Sequence, residues 1–120
     1  MNKLILGTVQ FGLNYGINNI KGKPNENEVN KILNYAFKNK FEYLDTAESY
    51  GDSQDIIGNY IKSTKNNFKV ITKFSKIRTD LPINIIARIE KNLDILGVKS
   101  LYCYMFHNFH DYKSFFNLFY

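Results

Sequence analysis

The sequence predicts an α/β fold built on a parallel sheet. The main observation is a recurring unit: a short apolar run, a polar turn, a segment with apolar residues at helical spacing, then another short apolar run. Such alternation requires crossover connections, which give parallel strands with helices laid over the sheet. A length of 120 residues allows one domain, and 44% hydrophobic with 22% charged residues is the composition of a chain that folds around a core. No Pro/Gly/Ser-rich linker, charge block or low-complexity tract marks an internal boundary.

The first apolar run is Leu4 to Val9, followed by a polar loop containing Gly12, Gly16 and Gly22 and ending at Pro24-Asn25. Asn25 and Glu28 have the spacing of a capping box, and Val29, Ile32, Leu33, Ala36 and Phe37 then share one helical face. The second run, Phe41 to Leu44, ends at Asp45. Asp52 or Ser53 can cap the next helix, whose stripe is Ile56, Ile57, Tyr60 and Ile61. Phe68 to Thr72 is rich in strand-forming residues and ends at Lys73. After the loop around Asp80, Pro82 suits a first helical turn, and Ile86, Ile89, Leu93 and Leu96 form a stripe stopped by Gly97. The fourth run, Leu101 to Phe106, ends at His107, and Asp111 to Tyr120 opens a fourth helix.

Composition narrows the function classes. The longest apolar stretches fall far short of the ~20 residues that a helical membrane span needs. The N-terminus lacks a basic region followed by a long apolar core and a cleavage site, so a cytoplasmic protein is expected. Sixteen Lys+Arg against eleven Asp+Glu give a net charge of +5, but the lysines are scattered and Arg78 and Arg88 are the only arginines. No stripe follows a phosphate backbone, and nucleic acid is not an expected partner. Cys103 is the single cysteine, which excludes an intrachain disulfide. Glu48, His107, His110 and Asp111 lack the spacing of a metal site, so no metal is expected. The glycines do not make the Gly-x-Gly-x-x-Gly dinucleotide-binding pattern and read as turn residues.

Periodicity leaves the closure of the sheet open between a doubly wound sheet and part of a (β/α) barrel. In either case ligands bind beyond the carboxyl ends of the strands. Asp45, Lys73 and His107 stand at three successive strand ends, and Tyr50 follows Asp45 in the loop above the same mouth. An acid, an amine, a phenol and an imidazole facing one cavity are the components of a proton-transfer site. Each also has an ordinary reading: a helix cap, a solvated charge or a packed ring.

These residues lie in segments that resemble the aldo-keto reductases. The matching pieces are Leu6-Gly7-Thr8 with Phe11-Gly12, Leu44-Asp45-Thr46-Ala47 with Tyr50-Gly51, Gly58, Ile71-Thr72-Lys73 and His107-Asn108. The Asp-Thr-Ala-x-x-Tyr-Gly piece is the most specific. The resemblance implies a (β/α)₈ barrel that reduces aldehydes or ketones with NADPH, Tyr50 as proton donor, Lys73 and Asp45 as the pair that tunes it, and His107 as the group orienting the carbonyl. It also implies that Asp45 and Asn108 face the cofactor. The chemistry is consistent with those roles: a carbonyl taking up hydride becomes an alkoxide, which requires a proton and a steadying charge. Gln54 stands where the family often has Glu, which suggests altered adenosine or loop contacts.

A (β/α)₈ barrel takes about 250 residues and at least about 200. This chain offers four strands and three complete helices in 120 residues. Residues 1–120 are therefore expected to form only the N-terminal half of the family's barrel domain, about four βα units, with the seat of the cofactor's phosphates in the other half. Such a half exposes strand edges and interior side chains. It could pair with a second copy, accept a complementing half barrel, or be an unstable remnant of an interrupted gene, and the last is expected. The alternative to a reductase is a non-catalytic fragment or interaction module on the same scaffold.

Overall fold

A computed structural model of the chain describes residues 4–74 and 84–119, without the side chains of residues 115 and 117–119. The elements run β1 (Ile5–Gly7), α1 (Val9–Gly12), α2 (Glu26–Lys38), β2 (Tyr43–Asp45), α3 (Ser53–Thr64), β3 (Lys69–Phe74), α4 (Ile85–Leu96), β4 (Cys103–Phe106) and α5 (Phe109–Phe119). The described strands form one sheet in the order β1-β2-β3-β4, and every neighbouring pair is parallel. The fold is α/β, with strands and helices alternating as in part of a (β/α)₈ barrel.

Local chemistry explains most element ends. At α2 the Asn25 side chain accepts the Glu28 N–H at 3.0 Å, and the Glu28 carboxylate accepts the Asn25 N–H at 2.9 Å, completing the capping box. α4 ends at Gly97, whose φ of 65° lies in the left-handed region that glycine enters without penalty. Its start differs from expectation. Asn84 is the cap and accepts the Ala87 N–H at 3.0 Å, while Pro82 and the Asp80 loop lie outside the described residues. Neither Asp52 nor Ser53 caps α3 through its side chain: Asp52 pairs with Lys23, and Ser53 bonds inward to Thr8.

Strand bounds shift for similar reasons. The run Leu4 to Val9 leaves the ladder after Gly7, because the Thr8 N–H and hydroxyl both donate to the Asp45 carbonyl, at 3.0 and 2.9 Å, and the chain turns into α1. Phe41 and Glu42 precede β2, and β3 continues through Lys73 to Phe74.

Register assigns the two faces of the sheet. Leu44 lies beside Val70, and both are fully buried under the helices with Val29, Leu33, Ile57 and Leu96. By the two-residue period, Ile5, Tyr43 and Lys69 fall on the other face, as do Gly7, Asp45, Ile71 and Cys103. That face is more open: Ile5 is 50% exposed and Met105 37% exposed, whereas the helix-facing Leu44, Val70 and Thr72 are 0% exposed. α3 is the central helix of the outer layer. Its Ile56, Ile57, Tyr60 and Ile61 are all buried, and its Gly58 meets α4 so closely that an added Cβ would lie 1.8 Å from the Ile95 carbonyl oxygen. The expected α4 stripe is rotated: Ile86 is 71% exposed, and the polar Asn92 occupies a buried position beside Leu96.

Candidate active site

The parallel register brings two of the sequence-identified residues to one face. Asp45 lies opposite Ile71, and Lys73, two residues further along β3, points to the same side. Lys73 Nζ forms an ion pair with Asp45 Oδ1 and donates to the Thr46 carbonyl at 3.0 Å. The pair is partly shielded, with the lysine side chain 14% and the aspartate side chain 35% exposed. Two positions beyond Met105, which lies opposite Lys73, the chain reaches His107.

Tyr50 completes the cluster from the β2–α3 loop. Lys73 Nζ sits 5.2 Å from the centre of the Tyr50 ring, an ammonium over an aromatic face. The Tyr50 and His107 rings meet edge to face, centroids 5.8 Å apart and planes at 85°. Ser49 Oγ lies 3.2 Å from His107 Nδ1. The structure thus brings Asp45, Tyr50, Lys73 and His107 into one chain of contacts.

Buried hydroxyls and a close backbone approach underlie the placement of Tyr50. Thr8, Thr46 and Ser53 are fully buried beneath the loop. Ser53 Oγ lies 3.0 Å from the Thr8 carbonyl oxygen, to which it donates, 3.1 Å from Thr8 Oγ1 and 3.3 Å from Thr46 Oγ1. A buried hydroxyl cluster of this kind holds its geometry because an unmet polar group there is costly. Gly12 forms the other support. A Cβ at Gly12 would lie 1.7 Å from the Tyr50 carbonyl oxygen, so the loop rests directly on the α1 backbone.

Gln54 is turned into the protein. It is 6% exposed, and its Nε2 donates to Thr72 Oγ1 at 2.9 Å and to Asn92 Oδ1 at 2.7 Å, tying α3 to β3 and α4. An amide can donate to both oxygens where an ionised glutamate could only accept. A second network surrounds Glu48. Its carboxylate is paired with Arg88 and accepts from Asn92 Nδ2 at 2.8 Å and Tyr104 Oη at 2.5 Å. Burial, and then the hydrogen bond to Glu48, hold the Tyr104 phenol well above the usual tyrosine range. These contacts bridge 40 to 56 positions of sequence, and no local motif announces them.

Of the residues expected at a cofactor, Asp45 presents a carboxylate beside Lys73, while Asn108 Oδ1 accepts the Asp111 N–H at 2.9 Å and so caps α5. A nicotinamide carboxamide both donates and accepts, and the side chains offer groups of those types separately: an acceptor on Asp45 and the Nδ2 donor of Asn108. The cations of the cluster, Lys73 and Arg88, each already hold a carboxylate partner. No group of three His, Cys, Asp or Glu residues suited to a metal occurs among the described residues. No helix among them is long and apolar enough to cross a membrane.

Comparison with known proteins bears on this arrangement. A comparison with curated proteins gave no match. Among solved structures, the chain is similar to an assigned aldo-keto reductase from Pseudomonas aeruginosa, with 19% identity and a TM-score of 0.67, covering 95% of this chain and 49% of that one. An aldo-keto reductase from Bacillus halodurans matches with 17% identity and a TM-score of 0.61 over 85% of this chain and 35% of that one. A glycerol dehydrogenase from Gluconobacter oxydans matches with 20% identity and a TM-score of 0.56 over 81% and 32%. At these identities the likeness is one of fold, and the chain spans half or less of each of these proteins. The model of the aldo/keto reductase family matches residues 3–119. That match corrects the expectation of an N-terminal half only, because the family pattern extends over almost the entire chain. The chain belongs to the aldo/keto reductase family.

Proposed function

We propose that the protein is a cytoplasmic NAD(P)H-dependent reductase of small aldehydes or ketones, with NADPH the expected cofactor. The observation that supports this reading most directly is the contact of Lys73 with both the Asp45 carboxylate and the Tyr50 ring, with the His107 ring packed edge to face against that of Tyr50. The cofactor, when bound, supplies the hydride. Asp45 and Asn108 are the residues of this chain that would face its nicotinamide.

Each of this chain's residues then has a defined task. As the carbonyl carbon gains hydride, its oxygen takes a proton from Tyr50 Oη, and the phenol is left as phenolate. The Lys73 ammonium over the ring favours that negative charge, and the Asp45 carboxylate aims the ammonium. His107 stands beside Tyr50, where a ring N–H could hold the substrate oxygen in line with the phenol. The Ser49 Oγ contact engages Nδ1 of His107, which leaves Nε2 as the ring nitrogen for substrate.

The test is a fluorescence titration with NADPH followed by an assay of NADPH oxidation with a small aldehyde. Saturable micromolar binding and turnover are expected. Absence of both would overturn the reading in favour of a non-catalytic module on the same scaffold.

A further inference from the structure

The β2–α3 loop straddles the end of β3. The Glu48 N–H donates to the Lys73 carbonyl at 3.2 Å, laying the loop across the strand. From there the side chains diverge. Ser49 and Tyr50 turn to the open face of the sheet and meet His107. Glu48 turns to the helix-covered face, where it is 14% exposed and bonded by Arg88 and Asn92 of α4 and Tyr104 of β4.

The partners on the helix side are themselves fixed. The Arg88 guanidinium stacks 5.0 Å from the Phe74 ring centre, and Phe74 stacks on Tyr104 at 4.4 Å. Asn92 is held by Gln54 and donates to the Arg88 carbonyl at 2.8 Å. Drawing a carboxylate this far out of water is costly unless its partners are rigid and complete. Tyr104 lies three residues before His107 on the same segment. The Glu48 carboxylate therefore joins the loop that carries Tyr50 to the strand that leads into His107.

We infer that Glu48 is a positioning residue whose carboxylate, clamped by Arg88, Asn92 and Tyr104, sets the contact between the Tyr50 and His107 rings. The inference rests on the reductase reading only for the use made of that contact, and its test needs no turnover.

The contact is read by NMR on the full chain with labelled aromatic rings, Tyr50 being assigned with Tyr50→Phe and His107 with His107→Gln. The wild-type chain is expected to show a nuclear Overhauser contact between the two rings. Glu48→Ala is expected to reduce it by more than about half while the Tyr60–Phe68 contact of the core is unchanged, since a loop freed at one anchor shifts by the ~1 Å that matters for aligned groups. Glu48→Gln, which keeps an acceptor for Asn92 and Tyr104, should retain more of the contact than the alanine variant. An undiminished ring contact in Glu48→Ala would overturn the inference. If that variant loses the core contact as well, Tyr104→Phe decides: it removes one hydroxyl, and an unchanged Tyr50–His107 contact in it would count against Glu48. Failure of the wild-type chain both to bind and to oxidise NADPH would defeat the reductase reading and leave this result standing.

Discussion

The two ends of β2 and β3 carry nearly the same chemical inventory. At the carboxyl end, Asp45 pairs with Lys73, the lysine sits over the Tyr50 ring, and that ring meets a second aromatic, His107. At the amino end, Glu42 pairs with Lys69 at 2.8 Å, that lysine sits 5.0 Å from the Tyr43 ring centre, and Tyr43 meets Tyr102 edge to face at 4.9 Å. Only their surroundings differ. Lys73 is 14% exposed and Lys69 52% exposed. The carboxyl end has a loop anchored by buried hydroxyls on one side and the Glu48 clamp on the other, while Glu42, Tyr43 and Lys69 belong to the strands and their immediate flank. A carboxylate, a lysine and two rings do not make a site by being near one another. The lysine at the carboxyl end is the more shielded and its loop is the one held in place, and electrostatic interactions weaken steeply with solvent access.

The largest expected effect separates the two tyrosines. In the NADPH-oxidation assay, Tyr50→Phe should lower kcat by on the order of 10²–10⁴, the usual contribution of a general acid, whereas Tyr43→Phe should leave it unchanged. Equal losses would erase the distinction between the two ends.

Next comes the support beneath Tyr50. Gly12→Ala places a methyl where the Tyr50 carbonyl oxygen lies and should destabilise the chain by about 3 kcal/mol, the upper range for overpacking. Gly7→Ala, on the open face with nothing within 4 Å of the added Cβ, should not. Urea midpoints of the two variants measure the difference. Removing the shielded lysine by Lys73→Met should cost about 1–3 kcal/mol, because Asp45 loses its charged donor in a partly enclosed position. Lys69→Met should leave the thermal midpoint nearly unchanged.

The smallest effect is in pH. The hydrogen bond and charge of Lys69 hold the Glu42 carboxyl below its ordinary range. A depressed folded-state value means that the pair's stabilisation is present above the unfolded glutamate value of about 4.3 and fades as pH falls through the lower folded value. Acid titration of the Glu42 carboxyl carbon by NMR should show this lowering, and Lys69→Met should abolish it.

Much of the fold was legible because it is local. The capping box at Asn25 and Glu28 and the stripe of α3 are written within a few residues of one another, and so is the stop at Gly97. Asp45 was legible as the end of β2 and Lys73 as lying near the end of β3, one residue short of it, and the parallel register carried both to one face. What escaped was long-range or steric. Asn92 interrupts an otherwise apolar stripe because its partners, Gln54 and Glu48, come from other parts of the chain. Ser53 was read as a helix cap, yet its hydroxyl serves a residue 45 positions away. Gly12 was read as a turn residue, and its actual task, to leave room for the Tyr50 carbonyl, exists only after folding.

Gly58 has a dynamic consequence. With the backbones of α3 and α4 almost touching at Ile95, and with Gln54 and Asn92 joined near the start of that contact, neither helix can swing away without dragging the other. Their amide protons should exchange with solvent as one cooperative group, opening together in a single event. The loop before α3 would then be only as quiet as the slower-opening pair of helices it is attached to.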